Sequence, residues 1–458
     1  MDAFATGADG LAAGRRDAAG YAAQFADAHP PLTQAQALIE AERCYYCYDA
    51  PCTNACPTGI DVPSFIARIA QGNTRGAAQA ILQANPLGGM CARVCPTEEL
   101  CEQACVRNTN EDKPVEIGLL QRHATDAFFA HGGQPLFTRA APTGKRVAVV
   151  GAGPAGLACA HGLAVRGHEV SLYDAKPKLG GLNEYGLATY KTTGGFAQQE
   201  VDWLLSVGGI TPHCNQQLGR DITLDGLLAS HDAVFLGLGL AGVNALGVAE
   251  PKAEGLRDAV AFIAELREAA ATGAFDRVPV GRRVLVIGGG MTAVDAAVQA
   301  RKLGAEQVSI VYRRGQESMP ASHVEQAWAQ TNGVSLRTWA APREVLCEGG
   351  RVRGMRFATT ALQGGKLVET GETFELDADM VLKAIGQSYQ LEPAGAAIRL
   401  EGGRIAIDAE GHTSVPRVWA GGDCCAGRRD LTVEAVEGGK LAAASIHAAL
   451  STPAAHTA

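Results

Sequence analysis

Two glycine-rich turns, each following a short apolar strand pattern, constrain the fold of this chain more than any other feature. The first turn occupies residues 151–156 after the apolar run that ends at Val150, and the second occupies residues 288–293 after RRVLVI. Each turn precedes a helical pattern and a second apolar run, with GxGxxG or GxGxxA spacing. Bare backbone at the start of a helix allows a pyrophosphate to approach closely. The sequence therefore predicts two nucleotide-binding units in an α/β fold.

The residues that end the second strand of each unit differ in charge. Asp174 ends this strand in the first unit, about 20 residues past Gly153, where an acid can bond a ribose hydroxyl. The second unit has Tyr312-Arg313-Arg314 at this point. Two guanidiniums can bind a 2'-phosphate that a carboxylate would repel. NADPH is therefore favoured over NADH, and the alternative is that both arginines are ordinary surface charges.

Two further glycine pairs extend the first unit. Segment 180–182 reads Gly-Gly-Leu, and segment 420–423 reads Ala-Gly-Gly-Asp after an apolar strand pattern. Together with the first turn they resemble the two-part FAD site of flavin disulfide-reductase-like proteins. Cys424 and Cys425 follow directly, but adjacent cysteines form a strained ring and no CxxC lies in either nucleotide-binding unit. We expect this pair to serve packing rather than disulfide reduction.

Eight of the thirteen cysteines lie between Cys44 and Cys105. The first four read C-x2-C-x4-C-x3-C-P, and the last four read C-x3-C-P-x4-C-x3-C from Cys91 onward. Short mixed spacings with Cys-Pro are typical of iron–sulfur binding, so two [4Fe-4S] clusters are predicted. Structural zinc and free buried cysteines are the alternatives. Spacing alone would assign all eight cysteines as ligands.

Residues up to about 135 show helical patterns broken by Pro and Gly, with no strand pattern. The predicted fold is α/β, with an N-terminal all-helical di-[4Fe-4S] domain followed by two Rossmann-like nucleotide-binding domains. The NADPH domain is inserted into the FAD domain. The predicted ranges are 1–135 for the helical iron–sulfur domain, 136–243 and 389–458 for the two parts of the FAD domain, and 244–388 for the NAD(P)H domain.

Composition excludes several classes of function. The 40 basic and 48 acidic residues give a net charge of -8, which disfavours nucleic-acid binding. No uncharged apolar run reaches the roughly 18 residues that a membrane-spanning helix needs. The N-terminus lacks the basic and apolar blocks of a secretory signal. We therefore expect a cytoplasmic protein.

From about Arg43 onward the chain resembles the flavin-carrying part of dihydropyrimidine dehydrogenase, and it is also similar to the small subunit of bacterial glutamate synthase. The matching stretches are CYDAPCTNACPTGIDVPSFI, NPLGGMCARVCPTEELCEQAC, EIGLLQRHATD, FLGLGL and AGGDCCAGRRDLTVEAVEGGK, together with YRRGQESMPAS, which is shared with the glutamate synthase side. The chain departs from this family at Met291, where the family usually has Asp, and over residues 186–191.

The resemblance implies specific site residues. For the clusters it implies one ligand set of Cys44, Cys47, Cys52 and Cys105, and another of Cys56, Cys95, Cys101 and Gln121, which leaves Cys91 unused. For FAD it implies Gly151, Ala152, Gly153, Pro154, Ala155, Gly156, Asp174, Gly181, Leu182, Lys191, Leu218, Gly422, Asp423, Leu431 and Thr432. For NADPH it implies Gly288, Gly289, Gly290, Thr292, Arg313, Arg314, Ala384, Ile385 and Gly386.

The resemblance also implies an activity. NADPH or NADH would reduce FAD, and electrons would pass through two [4Fe-4S] clusters to a partner subunit. That partner would carry FMN and iron–sulfur centres and reduce uracil or thymine to the 5,6-dihydropyrimidine, so a hetero-oligomer is expected. The alternatives are the glutamate synthase small subunit or another NADPH:acceptor electron-input subunit. A third hypothesis is a protein that is not an enzyme, namely a zinc-stabilised nucleotide-binding scaffold.

Overall fold

The computed structural model describes residues 14–390 and 398–451. The described chain divides into two compact units. The first compact unit contains residues 14–28, Tyr185–Thr193 and Gly242–Ser388, and the second contains His29–Glu184, Gly194–Ala241 and the chain from Tyr389 onward. The outermost parts of the predicted domains, residues 1–13, 391–397 and 452–458, lie outside the described residues.

The regular elements are numbered in chain order. The helices are α1 Ala18–Gln24, α2 Gln34–Glu42, α3 Pro51–Ala55, α4 Val62–Ala70, α5 Thr74–Ala84, α6 Gly88–Val94, α7 Arg107–Glu111, α8 Ile117–Ala130, α9 Pro154–Val165, α10 Leu182–Tyr185, α11 Phe196–Leu205, α12 Leu224–Ser230, α13 Ala259–Thr272, α14 Met291–Leu303, α15 His323–Thr331 and α16 Thr432–Ser451. The strands are β1 Arg146–Val150, β2 Glu169–Tyr173, β3 Ile210–His213, β4 Ala233–Leu236, β5 Gly242–Val243, β6 Leu256–Asp258, β7 Arg283–Ile287, β8 Gln307–Val311, β9 Val334–Arg337, β10 Ala340–Glu348, β11 Arg351–Gln363, β12 Lys366–Asp377, β13 Met380–Lys383, β14 Gln387–Ser388, β15 Leu400–Glu401, β16 Arg404–Ile405 and β17 Val418–Ala420. No described helix is both long enough and apolar enough to cross a bilayer.

In the described part of the second compact unit before β1, the regular elements are helices joined by loops, as the sequence predicts. Polar residues cap the N-termini of two of these helices. The side chains of Asp61 and Asn73 accept hydrogen bonds from backbone N–H groups in the first turns of α4 and α5. The apolar face of α4 is buried. Helices α3 and α6 end at Cys56 and Cys95, and each of these cysteines precedes a proline that cannot continue the helix.

A five-stranded parallel sheet follows in the same unit, in the order β17-β4-β1-β2-β3. Strands β1 and β4 are buried along nearly their whole length, as expected for parallel strands covered on both faces. Strand β17 pairs with β4 although the residues of β5 to β16 lie between them in sequence. The sheet is therefore completed by the last strand of the chain.

The helical part is joined to this sheet by packing within the second compact unit. Glu200 on α11 is buried and accepts hydrogen bonds from the backbone N–H groups of Gly89 and Met90 at the start of α6. Phe129 of α8 makes edge-to-face contacts with Phe196 and Trp203 of α11. Helix α6 is thereby fixed against the helices that cover the sheet.

The first compact unit contains a second parallel sheet of five strands, in the order β6-β13-β7-β8-β9. Between β9 and β13 the chain forms a three-stranded antiparallel sheet, β10-β11-β12, which the sequence analysis does not anticipate. Helix α1 also belongs to this unit, because the ring of Phe25 stacks on Phe275 at 4.2 Å between centroids. Residues 14–28 are therefore grouped differently from the predicted range 1–135, and the domain ranges stay predictions.

Candidate cofactor sites

Four of the clustered cysteines line one apolar cavity in the helical part. Cys44 and Cys47 lie on the loop before α3, Cys52 lies on α3, and Cys105 lies just before α7. The rest of the lining comes from the apolar side chains of Val62, Ile66, Val115 and Ile117, together with neighbouring loop residues. The cavity brings together the four cysteines that the resemblance implies for one cluster.

Three further cysteines, Cys56, Cys95 and Cys101, form a second group, because neighbouring thiols contribute to the raised pKa values of Cys95 and Cys101. A hydrogen bond to Cys91, burial and the nearby thiols of Cys101 and Cys56 raise the pKa of Cys95. Burial, Glu102 and the same Cys56 raise the pKa of Cys101. The structure therefore brings Cys56, Cys95 and Cys101 together, and it also places the buried Cys91 next to Cys95.

Gln121 lies on α8 and is buried. Its Nε2 donates a hydrogen bond of 2.7 Å to the carbonyl of Gly88, at the start of the helix that leads to Cys95. This bond fixes the orientation of the amide. The side-chain oxygen is the ligand atom that the predicted assignment would use.

The donor chemistry of the cysteines fits iron. Burial raises the pKa of Cys52 to about 11, and burial also raises the pKa of Cys44. Thiolates are the ligands of iron–sulfur clusters. Positive iron ions would offset the burial that otherwise keeps these thiols protonated.

The first glycine turn is a cradle between strand β1 and helix α9. Gly151 has φ +95°, and a Cβ there would lie 2.2 Å from the carbonyl oxygen of Gly237, at the end of β4. A Cβ on Gly156 would lie 1.7 Å from the carbonyl oxygen of Gly151. By contrast, a Cβ on Gly153 would meet nothing closer than 3.8 Å. The fold thus requires Gly151 and Gly156, and it leaves space at Gly153, where α9 begins with exposed N–H groups.

Asp174 and Asp423 lie near this turn. The two carboxylate oxygens of Asp174 accept from the backbone N–H groups of Ala152 and Lys176, each at 2.7 Å, and burial raises its pKa. Burial raises the pKa of Asp423 to about 7, aided by Asp430, and its Oδ1 is buried without a hydrogen-bond partner. An unsatisfied buried acceptor is expected where a ligand hydroxyl donates. The residues therefore fit a dinucleotide with ribityl and ribose hydroxyls.

The start of α16 connects the glycine turn to the second group of cysteines. Thr432 donates to the side-chain oxygen of the buried Asn183 at 3.1 Å. Val433 and Leu431 pack in one apolar cluster with Cys91, Cys95 and Leu100. The other predicted flavin residues are Gly181, Leu182, Leu218 and Gly422. A Cβ on Gly181 would lie 2.6 Å from the Cα of Gly153, and a Cβ on Gly422 would lie 2.9 Å from the Cβ of Ala155. Leu182 is the first residue of α10, and Leu218 packs against the apolar core of this sheet.

The second glycine turn has the same form in the first compact unit. Gly288 has φ +143°, and a Cβ there would lie 2.1 Å from the carbonyl oxygen of Ala384, in the turn that contains Ile385 and Gly386. Gly290 caps α14, with Thr292 in its first turn, and has open space around it. A Cβ on Gly289 would meet the ring of Tyr312 at 2.6 Å.

Arg313 and Arg314 are exposed just past β8. Their backbone carbonyls accept from the Thr360 hydroxyl and the Trp339 N–H, which fixes the main chain. Among the described residues neither guanidinium has a carboxylate partner within ion-pair distance. Both side chains are therefore available to an anion at this edge of the sheet.

Lys191 belongs to a buried ion-pair network in the first compact unit. In the first compact unit its Nζ is 2.8 Å from both Asp295 of α14 and Glu325 of α15, and the two carboxylates raise its pKa against the effect of burial. Tyr190 donates to the same Asp295. The predicted flavin contact of Lys191 stays a prediction, and what the structure places around it is a buried ion-pair network.

Comparison with known families identifies two matching regions of the chain. Residues 145–439 match the pyridine nucleotide-disulphide oxidoreductases, and residues 21–133 match dihydropyrimidine dehydrogenase domain II with its 4Fe-4S cluster. This chain belongs to the pyridine nucleotide-disulphide oxidoreductase family. It is an NAD(P)H-dependent oxidoreductase of this family with an N-terminal 4Fe-4S domain, which favours iron–sulfur over zinc.

Curated members of this oxidoreductase family match along most of their length. The NADPH glutamate synthase small chain of Escherichia coli K12 is 33% identical over 447 residues, which cover 92% of this chain and 93% of that protein. The subunit PreT of NAD-dependent dihydropyrimidine dehydrogenase from the same organism is 34% identical over 419 residues, covering 91% and 95%. Two of these relatives are thus named as parts of larger enzymes.

Solved structures show the oxidoreductase fold. FprA of Mycobacterium tuberculosis in complex with NADPH superposes with a TM-score of 0.56 at 17% identity, over 66% of this chain and 84% of that one. Thioredoxin reductase of T. acidophilum superposes with a TM-score of 0.52 at 20% identity, over 67% and 99%. These likenesses agree with the two Rossmann-like sheets described above.

Three polar residues of this oxidoreductase are missed by sequence reasoning. They are Asn183, which bonds Thr432, Glu200, which caps α6, and Lys440, which donates to the carbonyl of Thr58 near Cys56. Only Asn183 has a nearby sequence pattern, because it follows Gly-Gly-Leu directly. Glu200 and Lys440 act through partners that are distant in sequence.

Proposed function

We propose that this chain is the electron-input subunit of a larger reductase. It takes a hydride from NAD(P)H onto FAD and passes single electrons through two [4Fe-4S] clusters to a partner subunit that carries FMN and iron–sulfur centres. By analogy with the relative named PreT, the partner reduces uracil or thymine to the 5,6-dihydropyrimidine. FAD supplies the conversion from a two-electron to a one-electron carrier.

The observation that carries this proposal is the contact between the flavin-site helix and the cysteines. Helix α16 packs on the first glycine turn, because a Cβ on its Gly439 would lie 2.1 Å from the carbonyl oxygen of Ala155. At the start of the same helix, Leu431 and Val433 pack in an apolar cluster with Cys91 and Cys95. The protein's contribution is to hold both sites at short range in one compact unit and to exclude water between them.

The cysteine groups are also adjacent to each other. The thiol of Cys52, in the group that lines the cavity, contributes to the raised pKa of Cys101 in the other group. In the proposed order the group with Cys95 is nearer the flavin, and the group with Cys44 is farther from it. The chain thus provides a relay with an entrance at the flavin and an exit at the cavity.

We further propose that Gln121, and not Cys91, is the eighth cluster ligand. The amide is buried and oriented by Gly88, while Cys91 is packed among apolar side chains and hydrogen-bonded to Cys95. Cys91→Ser should therefore retain both clusters, whereas Cys95→Ser and Gln121→Ala should each damage the same one. The measurement is iron per chain with electron paramagnetic resonance of the reduced protein. Loss of about four irons in Cys91→Ser, with Gln121→Ala silent, would restore the all-cysteine assignment.

The main experiment uses the chain purified without air. It should contain FAD, iron and acid-labile sulfide, reduce artificial dyes with NADPH, and leave uracil untouched until an FMN-containing partner is added. Uracil reduction by the chain alone would overturn this division of labour.

A second candidate is the small subunit of a glutamate synthase, because that relative matches at 33% identity over 93% of its own length. Reconstitution with the FMN-containing partner of each class separates the two. The partner that accepts electrons from this chain identifies the complex.

A further inference from the structure

An unusual concentration of exposed apolar side chains lies in the segment that contributes Cys44, Tyr45 and Cys47 to the cavity. Nine large apolar residues are exposed in the described chain, and four of them fall within residues 39–48. We call these four, Ile39, Tyr45, Tyr46 and Tyr48, the tyrosine patch; they are 67%, 50%, 43% and 106% exposed. The other five are scattered along the chain. Contiguous exposed apolar surface on a soluble protein marks interaction sites, and tyrosine is enriched at interfaces.

The tyrosine patch is built on the loop that holds two proposed cluster ligands. Tyr45 lines the cavity between Cys44 and Cys47. The backbone N–H of Tyr46 donates to the sulfur of Cys44 at 3.5 Å. A protein that covers these side chains would therefore come within van der Waals distance of the proposed cluster's own loop.

The loop is held in a costly conformation. Tyr46 has φ +52° and Ala50 has φ +38°, in the left-handed region that residues other than glycine avoid. Such residues cost free energy and persist where surrounding contacts hold them in place. Here Arg107 stacks on the ring of Tyr45, with the guanidinium carbon 4.0 Å from the centroid, and the Tyr46 hydroxyl donates to the carbonyl of Ala41. These contacts hold the loop in a conformation that leaves the tyrosine side chains exposed to solvent.

The charges around the tyrosine patch are acidic. Arg43 and Arg107 are neutralised by ion pairs with Glu40 and Glu111. Glu42, whose charge contributes to the raised pKa of Tyr46 after burial and Cys44, is exposed. Asp49, next to Tyr48, is also exposed, and neither acid has a basic ion-pair partner among the described residues. A partner would meet an aromatic centre with a negative rim.

We infer that the tyrosine patch is the docking surface for an electron-accepting protein whose own redox centre is surrounded by basic side chains. The inference rests on the proposed function, since the cavity that Tyr45 lines is the exit of the proposed relay. In the transfer step one electron leaves the reduced cluster for the oxidised centre of the acceptor, with no bond made or broken. The electron originates from NAD(P)H.

The test uses the full chain with its cofactors and two acceptors. Cytochrome c is the protein probe, because lysines surround its exposed haem edge, and ferricyanide is the small probe. Tyr48→Ala should lower kcat/KM for cytochrome c at least fivefold and leave ferricyanide reduction unchanged, because Tyr48 is fully exposed and contributes nothing to the core. Leu362→Ala is the matched control, since Leu362 is 48% exposed and lies on β11. Glu42→Gln with Asp49→Asn should flatten the salt dependence of cytochrome c reduction.

Two results would overturn the inference. One is cytochrome c reduction that is the same in wild type, Tyr48→Ala and the charge variant while iron–sulfur spectra are intact. The other is a wild-type dimer, seen by analytical ultracentrifugation, that Tyr48→Ala dissociates, because the patch would then bind a second copy of this chain. Failure of the proposed function looks different, since the wild type would then lack iron–sulfur signals or NADPH-dependent ferricyanide reduction.

Discussion

The two glycine turns each follow the central strand of a five-stranded parallel sheet, but the residues around the two turns differ. In each unit the central strand leads to a glycine with positive φ whose Cβ would strike a backbone carbonyl at the end of the neighbouring strand, at Gly237 in one unit and Ala384 in the other. The last position of the six-residue motif is Gly156 in the first unit and Ala293 in the second. The second strand is followed by Asp174 in one and by Tyr312 in the other.

These differences show which parts of the motif serve the fold and which serve the ligand. The close approach of turn and strand recurs in both units, so it belongs to the architecture. The acid and the arginines differ between the two units, so they report the nucleotide. Three measurements test these assignments.

The largest effect on stability is expected at Gly156, the last position of the first glycine turn. A Cβ on Gly156 would lie 1.7 Å from the carbonyl oxygen of Gly151, and backbone cannot move aside as a flexible side chain can. Gly156→Ala should cost about 3 kcal/mol or more and release the flavin. Ala293→Gly, the reciprocal change in the second unit, should cost only about 1 kcal/mol. Flavin content and thermal unfolding are the measurements, and a Gly156→Ala protein that keeps both would refute the steric argument.

A smaller effect concerns the pH dependence of stability. It involves an acid near one edge strand of each parallel sheet, Asp423 after β17 and Asp258 at the end of β6. Burial raises the pKa of Asp423 to about 7, whereas Asp258, at the end of β6, has Lys383 at 3.0 Å. A raised carboxyl pKa means that the native state holds its proton more tightly than the unfolded chain. The flavin-free protein should therefore lose stability as pH rises from about 4 to about 7, by on the order of a few kcal/mol.

The control for this pH effect is a neutral substitution. Asp423→Asn should flatten the dependence of the unfolding free energy on pH, measured in urea on the flavin-free protein. Equal slopes in wild type and Asp423→Asn would show that this carboxyl ionises normally.

The smallest effect concerns coenzyme choice in the second unit. Arg313 and Arg314 are exposed and lack carboxylate partners in the described chain. Replacing both with Gln should remove charge-assisted hydrogen bonds to a 2'-phosphate and weaken NADPH by about tenfold or more, or roughly 1.4 kcal/mol, while NADH is unaffected. The measurement is KM for each coenzyme in dye reduction. Preference for NADH in wild type, unchanged in the double variant, would make these arginines ordinary surface charges.

The sequence predicted those features whose determinants are local. Strand, glycine turn and helix are adjacent in the chain, so both nucleotide-binding units followed from pattern alone. The helical character of the cysteine-rich part followed in the same way, because Pro and Gly separate its apolar patterns.

What the sequence could not predict depends on distant partners. Lys191 is held by Asp295 and Glu325, more than a hundred residues away, and no local pattern reports that pairing. Phe25 stacks on Phe275, which is still farther away in the sequence. Strands β10 to β12 alternate buried and exposed residues only irregularly, with bulges near Pro342 and Ala358, which obscures the period-2 pattern.

The return of β17 to β4 has a consequence for how the chain folds during synthesis. Strands β1 to β4 emerge early, but the edge of β4 stays unpaired until Val418–Ala420 have been made. The inserted residues of the first compact unit, by contrast, contain all five strands of their own sheet within residues 256–337 and 380–383. Long-range pairing is slow because the loop must close first. The inserted unit should therefore reach its native state on the ribosome before the flanking sheet is complete, and an open strand edge is exposed in the interval.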